Sequence, residues 1–344
     1  MKRGLALIAV AAVALLTVAA AGAKSNDTTI TGAGSTFVQP LVSAWTPALG
    51  SAFGYTVQYS GVGSGAGIAA VQNKQVDFGA SDAPLTPDQI SAGCGDCVQI
   101  PWALSAISIA YNVPGAPTHL KLDGATISKI FLGQITTWND PAIAALNKGA
   151  NLPSTKITPV FRSDGSGSSY ALTDYLSSVN GTWKTKSGVS TQPAFPAGQG
   201  AKGSGGVAGL ISRTDGSIGY VDVAYATKNH IRIAAVRNRA GAFLYPSLRR
   251  IAAAAQAFTK VPANNEMHIV DPPKSAKLAY PIATYTYVVV HKSTPHAAEL
   301  RKLIFWALTQ GQTAQFAAKL TFAPLNTVKT VLVASEKTLK QIHT

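Results

Sequence analysis

Three times between residues 28 and 179 the sequence passes from a strand-like stretch through glycines and serines into a helix-like one. The segments are TTITGAGSTFVQPLVSAWTPALG, YTVQYSGVGSGAGIAAVQNKQ and KITPVFRSDGSGSSYALTDYLSSV. Alternating strands and helices point to α/β architecture. Small residues feeding a helix start leave several backbone N–H groups unpaired, and with the helix dipole they make a seat for an anion. Such seats arise at residues 34–36, 63–67 and 165–168. Each alone describes a plain capped helix. Three in one chain, each after a strand, point to a shared oxyanion site.

The remaining segments fit the same plan. VDFGASDAPLT reads as a short strand closed by Pro84, and WALSAISIAYNV as a continuous apolar strand of the kind buried in an α/β sheet. ATISKIFLGQITTWNDPAIAALNKG reads as two helices around a turn. GVAGLISRTDGSIGYVDVAYATKN gives a helix, a turn at Asp215 and Gly216, and a strand. YPIATYTYVVVHK is a strong strand pattern, and AAELRKLIFWALTQGQTAQFAAKL reads as one long amphipathic helix. At 344 residues the chain fits about two domains, and its 47% hydrophobic and 13% charged content excludes a disordered chain.

The first 23 residues read as a secretory signal: Lys2 and Arg3, an apolar run, then Ala21-Gly22-Ala23 as an A-x-A cleavage site. Lys24 and Ser25 follow where a lipoprotein would need a cysteine. Cys94 and Cys97 form a CxxC without a second pair or a preceding histidine, which argues against zinc. Their setting in a Gly-rich turn is unlike a redox motif at a helix start, so in an exported chain a small local disulfide is expected. The formal charge of +14 comes from scattered basic residues rather than a stripe, a pattern read as background potential and not as nucleic-acid binding. There is no Walker A loop and no G-x-S-x-G around Ser64 or Ser166, where Val62 and Asp164 stand in place of a glycine. The six histidines lack ligand or triad spacing.

TGAGSTF, YSGVGSGAG, VDFGASDAPLT and RSDGSGSS, in that order, resemble the signature segments of the phosphate-binding proteins (PstS type) of ABC importers. FLGQITTWNDPAI, GSIGYVDVAYA, YPIATYTYVVV and FAPLN extend the likeness over nearly the whole chain after the leader. The resemblance implies a two-lobed α/β fold of the periplasmic-binding-protein type II, with the ligand in the interlobe cleft. Lobe I is expected from residues 24–103 plus 281–344 and lobe II from 104–280, with hinges near Ala103 and Ile282. The implied donors to phosphate are the Thr36 hydroxyl, the Phe37 N–H, Ser64, Arg162, Ser166, Gly167 and Ser168. Asp82 is the implied buried carboxylate that touches the ligand. Ser168 stands where threonine is common, which keeps the donor, and the Cys94–Cys97 pair is outside the family pattern.

The resemblance also accounts for an acid beside the third anion seat. Asp164 is implied to pair with Arg162, fixing the guanidinium and softening its field. Hydrogen phosphate can donate its proton to Asp82, whereas sulfate has none to give. The implied role is capture of inorganic phosphate outside the cytoplasmic membrane by a monomer that delivers it to an ABC permease, with no catalysis, cofactor or metal. Two alternatives are an exported phosphate-ester hydrolase using the same oxyanion cradle and a basic polyanion-binding surface protein.

Overall fold

The computed structural model describes residues 28–344, so the leader expected over residues 1–23 lies outside the described residues. The chain opens with β1 (Thr29–Gly34), α1 (Gln39–Phe53), β2 (Thr56–Gly61), α2 (Ser64–Gln72) and β3 (Phe78–Ser81). A short helix, α3 (Pro87–Ser91), leads into β4 (Cys97–Asn112). Next come β5 (Lys121–Leu122), α4 (Gly124–Phe131), α5 (Pro141–Leu146), β6 (Thr158–Arg162), α6 (Gly167–Val179) and α7 (Gly181–Lys186). β7 (Gln199–Ala201), α8 (Gly203–Arg213), β8 (Ser217–Asp222) and α9 (Val223–Lys228) follow. Small strands β9 (Arg232–Ile233), β10 (Ala235–Arg237) and β11 (Phe243–Leu244) precede α10 (Leu248–Gln256). The chain ends with β12 (Ala283–His291), α11 (Ala297–Leu308) and α12 (Lys329–Leu339).

The main sheet runs β2-β1-β3-β12-β4-β8-β6-β7. β1 pairs in parallel with β2 and β3, as strands joined by crossover helices must. β12 is antiparallel to β3 and β4, and β8 is antiparallel to β4 but parallel to β6. The two halves of the sheet share β4. Its residues 97–106 pair with β12, and residues 107–112 pair with β8. Between Val98 and Tyr111 every residue of β4 is buried, and so is all of β12. Apolar and β-branched runs without a charge suit strands covered on both faces. The crossing and the return are tied together where the Ile107 N–H donates to the Ile282 carbonyl at 2.9 Å.

One helix reading and one strand reading need correction. The helix that begins at Ala297 does not run to Leu320 but stops at Leu308, and 3-10 turns follow at Gln310–Gln312 and Ala318–Leu320. Gly311, just past the end, packs on Trp45: its carbonyl accepts the indole N–H at 3.1 Å, and a Cβ there would lie 2.9 Å from that nitrogen. The strand expected through residue 229 ends at Asp222, whose carboxylate caps the added helix α9. α6 turns one face to the core, with Leu172, Tyr175 and Leu176 buried and Tyr170 half-buried. Cys94 and Cys97 are joined as a disulfide at the entry to β4.

The approach of α2 to β1 is close enough to dictate residue type. A Cβ on Gly67 would lie 2.3 Å from the Gly34 Cα and 2.6 Å from the Ala33 carbonyl oxygen, both backbone atoms that cannot swing aside. Gly67→Ala should therefore destabilise the fold by about 1–3 kcal/mol or more through overpacking. Gly181 faces open space at the surface, so Gly181→Ala should stay within about 0.5 kcal/mol of wild type. Denaturant unfolding of the two variants side by side checks this, and equal stabilities would refute the close-packing account.

Candidate functional site

The three glycine–serine turns meet around one carboxylate. Asp82 follows β3, is 2% exposed, and receives the Ser35 hydroxyl at 2.7 Å from the first turn. Thr286 on β12 donates to its Oδ1 at 2.7 Å, and Ser64, first residue of α2, lies 3.5 Å from its Oδ2. Ser64 Oγ also accepts the Gly167 N–H at 3.1 Å, which ties the second turn to the third across the lobes. Gly65 N–H to the Gly165 carbonyl, 3.0 Å, makes the same crossing. Gly167 packs so tightly on Asp82 that a Cβ would lie 2.5 Å from the aspartate Cβ. Burial pushes Asp82 up to about 6, against the pull of Ser35, Thr286, Arg162 and Ser64.

Arg162 ends β6 and is buried. Its Nε donates to Asp164 Oδ1 at 2.8 Å and a terminal nitrogen meets Oδ2 at 2.5 Å, a two-pronged pair. Partial burial raises the Asp164 carboxyl, but the Arg162 guanidinium outweighs that and holds it below its ordinary value. The Gly203 N–H also donates to Asp164, at 3.0 Å. Ser166 caps α6 by accepting the Ser169 N–H at 3.2 Å, and the Ser168 hydroxyl is buried without a hydrogen-bond partner. Phe37 packs edge-on against Phe322 while its N–H is directed at Ser35 Oγ, 3.1 Å away. Thus Thr36, Phe37, Ser64, Asp82, Arg162, Ser166, Gly167 and Ser168 converge on one buried corner between the lobes.

A fourth turn joins the cradle without having been singled out in the sequence. At the start of α8, Ser204 donates its N–H to Thr36 Oγ1 at 3.0 Å, and the two hydroxyl oxygens are 2.9 Å apart. Behind it stands Asp222, 1% exposed. Its Oδ1 accepts the Tyr225 N–H at 3.1 Å, and its Oδ2 has no partner. Burial pushes Asp222 up to about 7 against the Tyr225 N–H and Ser204, and the charge of Asp82 adds to the rise. The motif KGSGGVAG carried the signal for Ser204, a glycine–serine cluster before a helix. Ser35, Thr286 and Asp222 carried none, because each sits in a pattern that reads only as turn or buried strand.

Outside the cradle, Asp96, Cys97 and His291 bring potential ligand atoms together. The sulfur is in the disulfide, and His291 is held by Asp96 at 2.6 Å and by the Val71 carbonyl at 2.9 Å. A disulfide sulfur offers no thiolate, so this group fits a structural tie better than a metal.

Two α/β lobes sharing a strand, with helix starts from both aimed at one dry polar corner, define a solute-binding protein architecture. A sequence profile described as the PBP superfamily domain matches residues 19–310. The phosphate-binding protein PstS of Xylella fastidiosa strain 9a5c is 37% identical over 315 residues, covering 90% of this chain and 85% of that protein. The PstS of Pasteurella multocida is 37% identical over 302 residues, 86% of each chain. A solved phosphate-binding protein of Stenotrophomonas maltophilia superposes with a TM-score of 0.68 at 22% identity, covering 90% of this chain and 93% of that one. A high-affinity periplasmic phosphate-binding protein solved with phosphate gives a TM-score of 0.71 at 22% identity, covering 89% and 93%. The chain belongs to the PBP superfamily and, within it, to the PstS family.

The two raised carboxyls make a prediction about stability. Both lie above the ordinary 3.8, so between about pH 4 and about pH 7 the folded protein holds protons that the unfolded chain has released. Their stabilisation is complete below the unfolded value and falls as pH rises through the folded values, by several kcal/mol together, at about 1.4 kcal/mol per pKa unit. Asp164 acts below this window, and His268, raised to about 9 chiefly by Asp174, acts above it. Denaturant unfolding of the unliganded protein should show stability declining across the window, and less steeply in Asp222→Asn. A flat or rising curve in the wild type would contradict the burial of both groups.

Proposed function

We propose that this protein captures inorganic phosphate outside the cytoplasmic membrane and hands it to the membrane permease of an ABC importer. It acts as an exported monomer that binds without catalysing. The PstS relatives are named for phosphate binding, and they match over most of their own length. The observation that carries the reading is a buried carboxylate, Asp82, bonded by Ser35, Ser64 and Thr286 where helix starts meet, beside an arginine already neutralised by Asp164. In that setting a protonated oxyanion gains an acceptor for its proton, and a fully ionised one meets a repelling oxygen.

In this reading Thr36, Phe37, Ser64 and Asp82 serve the ligand from lobe I, and Arg162, Ser166, Gly167 and Ser168 from lobe II. Asp164 orients the guanidinium. Lobe I takes residues 24–103 plus 281–344 and lobe II residues 104–280, closing about Ala103 and Ile282. The partner change of β4 just beyond Ala103, and the bond from Ile107 to Ile282, suit hinges there.

Calorimetric titration of the metal-free mature protein with phosphate, arsenate and sulfate tests the proposal. Phosphate and arsenate should bind and sulfate should bind far more weakly. Asp82→Asn should keep substantial phosphate binding while the phosphate-to-sulfate ratio falls on the order of tenfold, since an amide N–H satisfies a sulfate oxygen. Asp164→Asn should shift both anions together, in a manner reduced by salt, and leave the ratio nearly unchanged. No phosphate binding would sink the assignment. An unchanged ratio in Asp82→Asn would sink the proton-acceptor account.

A further inference from the structure

Asp222 is the buried titratable group that the cradle does not otherwise use. It does more than cap α9: its second oxygen, Oδ2, is buried and makes no formed hydrogen bond, while the Ser204 hydroxyl that contacts Thr36 lies close enough to favour the carboxylate. Ser204 is 2% exposed and Thr36 is 7% exposed, so water does not mediate freely among these three groups. We propose that Asp222 is a positioning residue that sets the direction of the Thr36 hydroxyl through Ser204. As the neutral acid it leaves the Thr36 proton aimed at a phosphate oxygen; as the carboxylate it draws that proton away. The proposal rests on the reading of the cradle as a phosphate site.

The argument is a proton count along a hydroxyl chain. Each hydroxyl has one proton to donate. When Asp222 is ionised it attracts the Ser204 O–H, so Ser204 Oγ is left to accept from Thr36, 2.9 Å away. Thr36 then presents lone pairs to an anion. When Asp222 carries a proton on Oδ2, the chain reverses: Asp222 donates to Ser204, Ser204 donates to Thr36, and the Thr36 proton is free for the ligand. The Ser204 N–H to Thr36 Oγ1 bond, 3.0 Å, is compatible with both directions and holds the geometry fixed.

The charged and titratable groups around this corner are Asp82, Arg162, Asp164, Tyr59 and Tyr225. None of these five is hydrogen-bonded to Thr36 or Ser204, and Asp222 is the carboxyl on which the Ser204 hydroxyl acts. Asp82 and an incoming oxyanion both disfavour a second negative charge here, so ligand binding itself favours the acid form of Asp222. With burial pushing Asp222 to about 7, the reversal falls near neutrality.

Phosphate affinity measured calorimetrically from about pH 6 to about pH 8.5 tests the relay in wild type, Asp222→Asn and Ser204→Ala. Asn keeps an oxygen for the Tyr225 cap, which sets its NH2 where Oδ2 stood, a donor at every pH. The second ionisation of phosphate is common to all three proteins and drops out of the comparison, and the Asp82 titration, which is coupled to Asp222, is unchanged between wild type and Ser204→Ala. Wild type should lose roughly tenfold more affinity across the range than Asp222→Asn, the worth of one hydrogen bond to a charged group. Ser204→Ala should bind more weakly throughout and lack the extra loss. Wild-type and Asp222→Asn profiles that run parallel would overturn the relay, as would full pH loss in Ser204→Ala should Asp222→Asn fail to fold. Absence of any phosphate binding by wild type is a different result, and it would remove the phosphate reading itself.

Discussion

The site depends on the burial of Asp82 at the point where separate segments of chain end. A carboxylate in a dry corner is costly unless donors surround it. Here Ser35 comes from the first turn, Ser64 from the second, and Thr286 from a strand some two hundred residues later in the chain. Satisfying one side chain therefore fixes the mutual position of β1, α2, β3 and β12 at their ends. Gly167 then seats the third turn directly on the aspartate backbone, with no room for a side chain between them. The same atom group thus organises one lobe and receives the other.

Around that centre the protein avoids free charge. Arg162 is paired in two-pronged fashion with Asp164, and that carboxylate is in turn held by the Gly203 N–H. What is left to face a ligand is a set of oriented dipoles: helix starts, serine hydroxyls and backbone N–H groups. Such a set discriminates by where protons are, since every donor and acceptor has a fixed address. The +14 charge of the chain comes from basic residues scattered along the sequence and makes a background potential.

Much of this was legible in the sequence for a physical reason. Glycine–serine turns between strand and helix are local events, so GAGSTF, GVGSGAG and SDGSGSS announce their seats without tertiary information. The same holds for β4 and β12, whose uncharged runs require burial on both faces. What stayed hidden depended on contacts distant in sequence. TYTYVVV marks a buried strand but not which threonine meets Asp82. Asp222 fell inside the strand read for GSIGYVDVAYATKN, and its burial arises only from the folding of α8 against β8. The long helix expected after Ala297 stops at Leu308, and Gly311 just past its end packs on Trp45.

The contacts that bridge the lobes at the cradle are few and polar: Ser64 to Gly167, Gly65 to Gly165, and Thr36 with Ser204. Each such hydrogen bond contributes on the order of 1 kcal/mol net, because water offers nearly equal partners when the lobes part. An apolar interface of the same extent would hold the lobes shut regardless of what lay between them. At this corner the proposed closure rests on polar contacts, so in that reading a ligand touching both lobes needs to supply only a few kcal/mol there. The glycines and serines therefore serve two ends with the same atoms. In the proposed function they would seat an oxyanion and leave its closure to weak polar contacts.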